Sequence, residues 1–269
     1  MGSESAASVT LAAYAIVAAG IISWQAARCR DGWQVWLLYV VERIYVAFIF
    51  HWRSNRRSSI PMDGPALIIA NHRSPTDPLF VWMNHHFSDP TRGIRAISFL
   101  MAKEYYEIPG LNWVCRNLRS IPLQRGGQDM RPAKEALRRL KAGDLVGIFP
   151  EGGINPGTDL MESNPGVAWL AIKAQVPVYP VFVHNAPRGN SMIEPFCSPS
   201  RVKVSYGDPI DLSAYHGRRT SHETLREVAA LLMSRLAEVG GVSYHGSESR
   251  HEPKSSDLQQ TLSMKQAAG

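Results

Sequence analysis

Residues 65–78 read Pro65-Ala66-Leu67-Ile68-Ile69-Ala70-Asn71-His72-Arg73-Ser74-Pro75-Thr76-Asp77-Pro78. The first half is a short, β-branched apolar run bounded by Gly64 and Asn71, which predicts a buried strand. Ser74 then stands at an N-cap position, Pro75 at the first helical position and Asp77 three residues after the cap. The apolar Leu79, Phe80, Val81, Trp82 and Met83 continue as a helix. A strand running straight into a helix predicts an α/β sheet with His72 at the carboxyl end of a strand. Binding and catalytic groups gather at that edge.

Outward from His72, the chemistry has two readings. A neutral imidazole takes a proton from a hydroxyl near pH 7, and a carboxylate on its other nitrogen fixes the tautomer and stabilises the imidazolium. Four residues separate His72 from Asp77, a loop that permits this contact. The same spacing equally fits an Asp77 that only caps the helix beside a polar loop histidine.

Downstream, strands and helices alternate. Strands are expected over 94–101, 119–122, 145–149, 176–183 and 201–206, and helices over 78–87, 110–116, 130–142, 167–174 and 222–239. The nearly continuous apolar run Leu145-Val146-Gly147-Ile148-Phe149 suits a strand covered on both faces. The fold class is therefore α/β, with a mostly parallel sheet flanked by helices. Residues 58–242 form this domain. Residues 243–269 hold few large apolar groups and read as a disordered tail.

Residues 1–57 differ in kind. Residues 6–24 carry no charge, and about 20 apolar residues suffice to span a bilayer. Met1 to Ser8 has no Lys or Arg, against a cleaved signal peptide. Arg28 and Arg30 follow the run directly, which puts the N-terminus outside and the remainder on the cytoplasmic side. A second apolar stretch, 33–52, is broken by Glu42 and Arg43. A charge at mid-bilayer is costly, so this stretch is expected to lie in the interface, an amphipathic hairpin packed on a soluble domain being the other reading. Arg53, Arg56 and Arg57 follow. The 269-residue chain carries a net charge of +6, and with these arginines beside apolar sequence the expected partner is an anionic membrane rather than nucleic acid. Cys29, Cys115 and Cys197 are odd in number and far apart, which fits neither a disulfide framework nor a metal site. His85 and His86 have no spaced partner for a metal. Neither an esterase elbow nor a nucleotide phosphate loop occurs.

Three further stretches fall at expected strand ends. Ser120-Ile121-Pro122-Leu123-Gln124-Arg125-Gly126-Gly127 offers Arg125 as a bidentate phosphate ligand, with Lys103 after an earlier strand directed to the same place. In Phe149-Pro150-Glu151-Gly152-Gly153, Glu151 is a candidate ligand for a substrate hydroxyl, and the Gly152 backbone is suited to an anion. Val176-Pro177-Val178-Tyr179-Pro180-Val181 has two prolines, which indicate an edge strand or a strand start. It is a candidate wall for an acyl groove.

Taken in order, Asn71-His72-x-x-x-x-Asp77 (an HX4D motif), Ile121-Pro122-Leu123-Gln124-Arg125-Gly126, Phe149-Pro150-Glu151-Gly152 and Val176-Pro177-Val178-Tyr179-Pro180 resemble the four blocks of the glycerolipid acyltransferases, in the branch that acylates 1-acylglycerol-3-phosphate (lysophosphatidic acid). The resemblance implies a membrane enzyme of phospholipid biosynthesis with acyl-CoA or acyl-carrier protein as donor substrate and no metal or bound cofactor. It implies His72 as general base, Asp77 as its orienting group, and Asn71, Arg125, Glu151 and Gly152 at the substrate, with Lys103 a further substrate-binding candidate from its place after a strand. The family continues its third block with Thr, Arg and Ser, where this chain has Gly153, Ile154 and Asn155. Either Lys103 or Arg188 then supplies the missing charge, or the acceptor is another lysolipid or an amino-lipid. The remaining alternative is a membrane-anchored lipid-binding protein without turnover.

Overall fold

The computed structural model describes residues 2–56, 58–83, 94–124 and 129–244. In chain order the elements are α1 (Gly2–Ala27), α2 (Trp33–Ile49), β1 (Arg53–Ser54), β2 (Ala66–Ala70), α3 (Asp77–Met83), β3 (Ile97–Ala102), α4 (Lys103–Tyr106), α5 (Leu111–Asn117), β4 (Ile121–Leu123), α6 (Arg131–Lys141), β5 (Leu145–Ile148), α7 (Pro165–Ala174), β6 (Val178–His184), α8 (Glu194–Cys197), β7 (Lys203–Tyr206) and α9 (His222–Gly240). The strands form one sheet in the order β1-β7-β6-β2-β5-β3-β4. Every pairing is parallel except β6 with β7.

The stretch that leads to His72 is the middle strand of this sheet. All five residues of β2 are buried. Ala66, Ile68 and Ala70 pack with α2 and α3, while Leu67 and Ile69 pack with α6, α7 and α9. Alternation of side chains along a strand divides an apolar run between two cores in this way. β2 lies between β5, with Ile69 opposite Ile148, and β6, with Ala70 opposite Val181. These registers bring the segments after β2 and β5 together at one carboxyl edge.

Two sequence expectations need correcting. The prolines around β6 indicate an edge strand or a strand start: Pro177 does immediately precede the start of β6, but β6 is interior, between β2 and β7. Pro180 is tolerated because the β7 ladder begins at Val181, so its missing N–H removes no rung there. Arg53 and Ser54, inside the stretch expected to be membrane-associated, form an edge strand on β7. Two residues are too short to show a periodicity. Of the expected tail, residues 245–269 lie outside the described part.

The first two helices also differ from each other. In α1, residues 5–27 are long and apolar enough to cross a membrane, and none of that span is buried. α2 buries Val35, Tyr39, Glu42 and Val46 on one side and exposes Trp33, Leu37, Val41, Ile44 and Phe48 on the other. It docks on the sheet domain through edge-to-face aromatic contacts, Tyr39 with Trp82 at 5.6 Å, and Phe50, just beyond its end, with Phe80 at 5.1 Å. Such pairs add about 1 kcal/mol each to the area they bury. The break at Glu42 and Arg43 is resolved by direction: Glu42 is buried in the protein and Arg43 is exposed.

Candidate active site

The turn after β2 is organised by one carboxylate oxygen. Asp77 Oδ2 accepts from the backbone N–H groups of Arg73 and Ser74, both at 2.7 Å, and lies 3.1 Å from His72 Nδ1. The expected capping arrangement is present, with the Ser74 N–H met by the acid three residues on. Asp77 reaches back to the turn, while Ser74 Oγ accepts the Thr76 N–H at 3.3 Å. Capping and imidazole contact are one arrangement, because donors that hold the carboxylate still also fix its lone pairs toward the ring. A carboxylate at Nδ1 makes that nitrogen the proton donor and leaves Nε2 basic. Asp77 is fully buried and the His72 side chain is 18% exposed, so the orienting group is dry and the base is reachable. Burial pushes the Asp77 carboxyl above its ordinary range, opposed by the imidazole and the two backbone donors.

The loop after β5 supplies the other side. Glu151 is buried. Its Oε1 accepts the His72 backbone N–H at 2.9 Å, and its Oε2 accepts the Met161 N–H at 3.1 Å and the Asn155 amide. Asn155 in turn donates its backbone N–H to the His72 carbonyl at 2.7 Å. The backbone of His72 is thus held on both sides by this loop. Gly152 turns the loop at φ 71°, a left-handed conformation that costs glycine little. The imidazole stacks on Phe149 at 4.2 Å, and Phe149 stacks on Phe99 at 5.6 Å. That ladder needs Gly147, where a Cβ would overlap the Phe99 ring and come within 2.9 Å of Ile97 Cγ2.

The remaining candidates are distributed differently. Asn71 is completely buried. Its amide exchanges two hydrogen bonds with the Val183 backbone, at 3.0 and 2.7 Å, and so ties β2 to β6. Lys103 starts α4 at the end of β3, on the same sheet edge but two strands from β2, where it forms an exposed pair with Glu107 at 3.4 Å. Arg125 and Gly126 lie outside the described residues. Arg188 donates to the carbonyls of Pro156 and Gly157, both at 3.0 Å. Arg73 donates to the carbonyl of Thr158 and lies 5.4 Å over the Phe182 ring. Two guanidiniums therefore brace residues 156–158 next to His72. Burial, with Arg188 nearby, lowers the Arg73 pKa. Arg73, Phe149 and Asn155 carry no sequence signal for these contacts, because their partners are 85, 77 and 83 residues away, respectively.

The sequence profile of the acyltransferase family matches residues 51–184, a span that includes His72, Asp77 and Glu151. The chain is 31% identical over 101 residues to glycerol-3-phosphate O-acyltransferase 1 of Saccharomyces cerevisiae, an alignment covering 36% of this chain and 13% of the yeast protein. It is 27% identical over 163 residues to 1-acyl-sn-glycerol-3-phosphate acyltransferase of Pseudomonas aeruginosa, covering 60% of this chain and 59% of that protein. The crystal structure of the 1-acyl-sn-glycerophosphate acyltransferase PlsC from Thermotoga maritima superposes with a TM-score of 0.60 at 22% identity, over 85% of this chain and 90% of that one. This last likeness is one of fold. The chain belongs to the acyltransferase family. It spans about an eighth of the yeast relative and three fifths of the Pseudomonas one.

Proposed function

We propose that this chain transfers a fatty acyl group from acyl-CoA or acyl-carrier protein to the free hydroxyl of lysophosphatidate, giving phosphatidate. The observation that carries the reading is the His72–Asp77 contact, with one nitrogen of an accessible imidazole held by a buried carboxylate and the other left basic. His72 Nε2 takes the acceptor hydroxyl proton as the oxygen attacks the thioester carbonyl. The C–S bond of the tetrahedral intermediate then breaks, and the imidazolium returns the proton to the leaving thiolate. Asp77 stabilises the imidazolium between these events. Glu151 and Asn155 keep the His72 backbone fixed, so the base does not have to be ordered when substrate arrives.

Both substrates are amphiphiles, and α1 and α2 offer exposed apolar surface where both are found. In this reading residues 1–57 are the membrane-associated part, with α1 as anchor and α2 in the interface, and residues 58–242 are the catalytic unit on the cytoplasmic side. Lys103, Arg125 and Arg188 are the groups suited to the acceptor phosphate.

A second acceptor class, another lysolipid or an amino-lipid, is favoured by one observation: Ile154, 40% exposed, stands where the family has arginine. The deciding experiment presents the full chain with labelled acyl-CoA and acyl-carrier protein and a panel of lysolipid acceptors, with His72→Ala as the blank. Selective labelling of lysophosphatidate, lost by roughly 10³-fold in His72→Ala while the melting temperature holds, is the expected result. Equal turnover by the His72→Ala chain would sink the mechanism, and labelling of a different lysolipid would replace the acceptor.

A further inference from the structure

A cavity of about 540 Å³ lies between the second half of α2, the segment entering β1 and the end of α3. Arg43, His51 and Arg53 line it together with Val46, Trp52 and Met83, and among the described residues no acidic one does so. Three basic groups over an apolar floor fit neither a purely polar ion site nor a purely apolar groove. Sheet register locates the cavity. Arg53 pairs with Lys203, and Lys203 with His184 at the carboxyl end of β6. The cavity is therefore at the same sheet edge as His72 but three strands along it, and it shares no lining residue with the His72 site.

We propose that this cavity holds the phosphate-bearing headgroup of an anionic glycerophospholipid of the membrane, as a site separate from the one that binds the acceptor. A volume of this size admits a headgroup and its glycerol but not two acyl chains. The chains have a path, because Ile44 and Phe48, 54% and 81% exposed, flank Arg43 and Ala47 on α2. Among the described residues neither His51 nor Arg53 has an ion-pair partner. The Glu42 carboxyl, next to Arg43 in α2, is buried on the protein side of the helix, and desolvation pushes its pKa well above the ordinary range. The carboxyl end of α2 carries a partial negative charge of roughly half a unit, less than the basic residues supply. A bound lipid of this kind would clamp α2 to β1 and α3, and so set the distance of the sheet edge from the bilayer. A phosphate without acyl chains would leave the apolar wall and the α2 stripe unused.

The inference rests on the membrane placement proposed above but not on the reaction, and its test needs no turnover. The full chain in neutral detergent, offered short-chain phosphatidylglycerol and phosphatidylcholine in equal amounts, is examined by native mass spectrometry. Retention of one phosphatidylglycerol in roughly tenfold preference is expected, abolished in Arg43→Gln/His51→Gln and kept in Arg43→Lys/His51→Lys. The lysine pair decides the matter should the glutamine pair not fold. Equal retention of both lipids by the unsubstituted chain overturns the proposal. Displacement of the lipid by excess inorganic phosphate overturns its lipid identity. Acyl transfer in neutral detergent is expected to be unchanged in the glutamine pair, and its loss would merge the cavity with the acceptor site and overturn the separation.

Discussion

The turn after β2 and the loop after β5 both present polar groups to His72, but they are closed differently. Asp77 accepts from Arg73 and Ser74, four and three residues before it. Glu151 accepts from His72, 79 residues before it, and Asn155 bonds back to the same residue. The first arrangement can form wherever residues 71–77 adopt their turn. The second exists only when β2 and β5 are in register, with Ile69 beside Ile148. A slip of one residue would move Glu151 by about 3.3 Å and reverse its facing. The orientation of the base is thus set locally, and its position is set by the sheet.

Substitutions can separate these two contributions. Asp77→Asn breaks the local one. The amide can still accept from a backbone N–H, but it cannot stabilise an imidazolium, and it favours the wrong tautomer. A loss of roughly 10²- to 10⁴-fold in kcat is expected, with little change in acceptor KM and a small change in melting temperature. A change confined to KM would place Asp77 in substrate binding instead. Glu151→Ala breaks the sheet-borne arrangement. It removes the acceptors of two backbone N–H groups and the Asn155 amide, and buried donors without partners cost about 1–3 kcal/mol. Both a lower melting temperature and a fall in kcat on the order of tenfold are expected, with Glu151→Gln recovering most of the stability because it still accepts at one oxygen. Full activity in a destabilised Glu151→Ala chain would show that the loop supports the fold alone.

This division also accounts for what could be read from the sequence. The β2 strand, the His72–Asp77 spacing and the helix after it were legible because their patterns are local: an apolar run, a capping signal, a helix start. The apolar strand 145–148 was legible for the same reason. Glu151 was identifiable as a residue at a strand end, but its hold on the His72 backbone was not, since it depends on which strand lies beside β5. Asn155 was visible only as a departure from a pattern, and Arg73 not at all. The proline pair indicated an edge or a strand start; Pro177 marks the start, while Pro180 sits inside an interior strand, because the length of a neighbouring ladder is not written in the strand itself. The two-residue β1 was invisible to any periodicity.

Gly147→Ala tests a smaller link in the same chain of contacts. Its methyl would press on Phe99, which stacks on Phe149, which stacks on His72. Overpacking of this kind costs about 1–3 kcal/mol, read as a lower midpoint in chemical denaturation. Tilting of the imidazole should reduce kcat several-fold at most, because Asp77 still holds Nδ1. An equal loss of activity in Gly147→Ala and Asp77→Asn would show that the ladder, not the carboxylate, orients the ring.

The smallest effect comes from a third buried carboxyl, which serves as a control for the other two. Asp77 Oδ2 and both Glu151 oxygens accept backbone N–H groups, whereas Glu42 has no hydrogen bond offsetting its burial in α2, and its Oε1, like Asp77 Oδ1, has no partner among the described residues. Desolvation alone raises its pKa well above the ordinary 4.5. The folded chain therefore keeps a proton there that the unfolded chain has released, so stability falls as pH rises above about 4.5 toward the folded value. Glu42→Gln removes that dependence. Its melting temperature should exceed that of the unsubstituted chain at pH 8 and approach it at pH 4, the reverse of what Glu151→Ala does at neutral pH. If Glu42→Gln instead lowers the melting temperature at pH 8, the buried carboxyl is ionised and paired, and burial with donors would no longer distinguish the site's carboxylates from the one in α2.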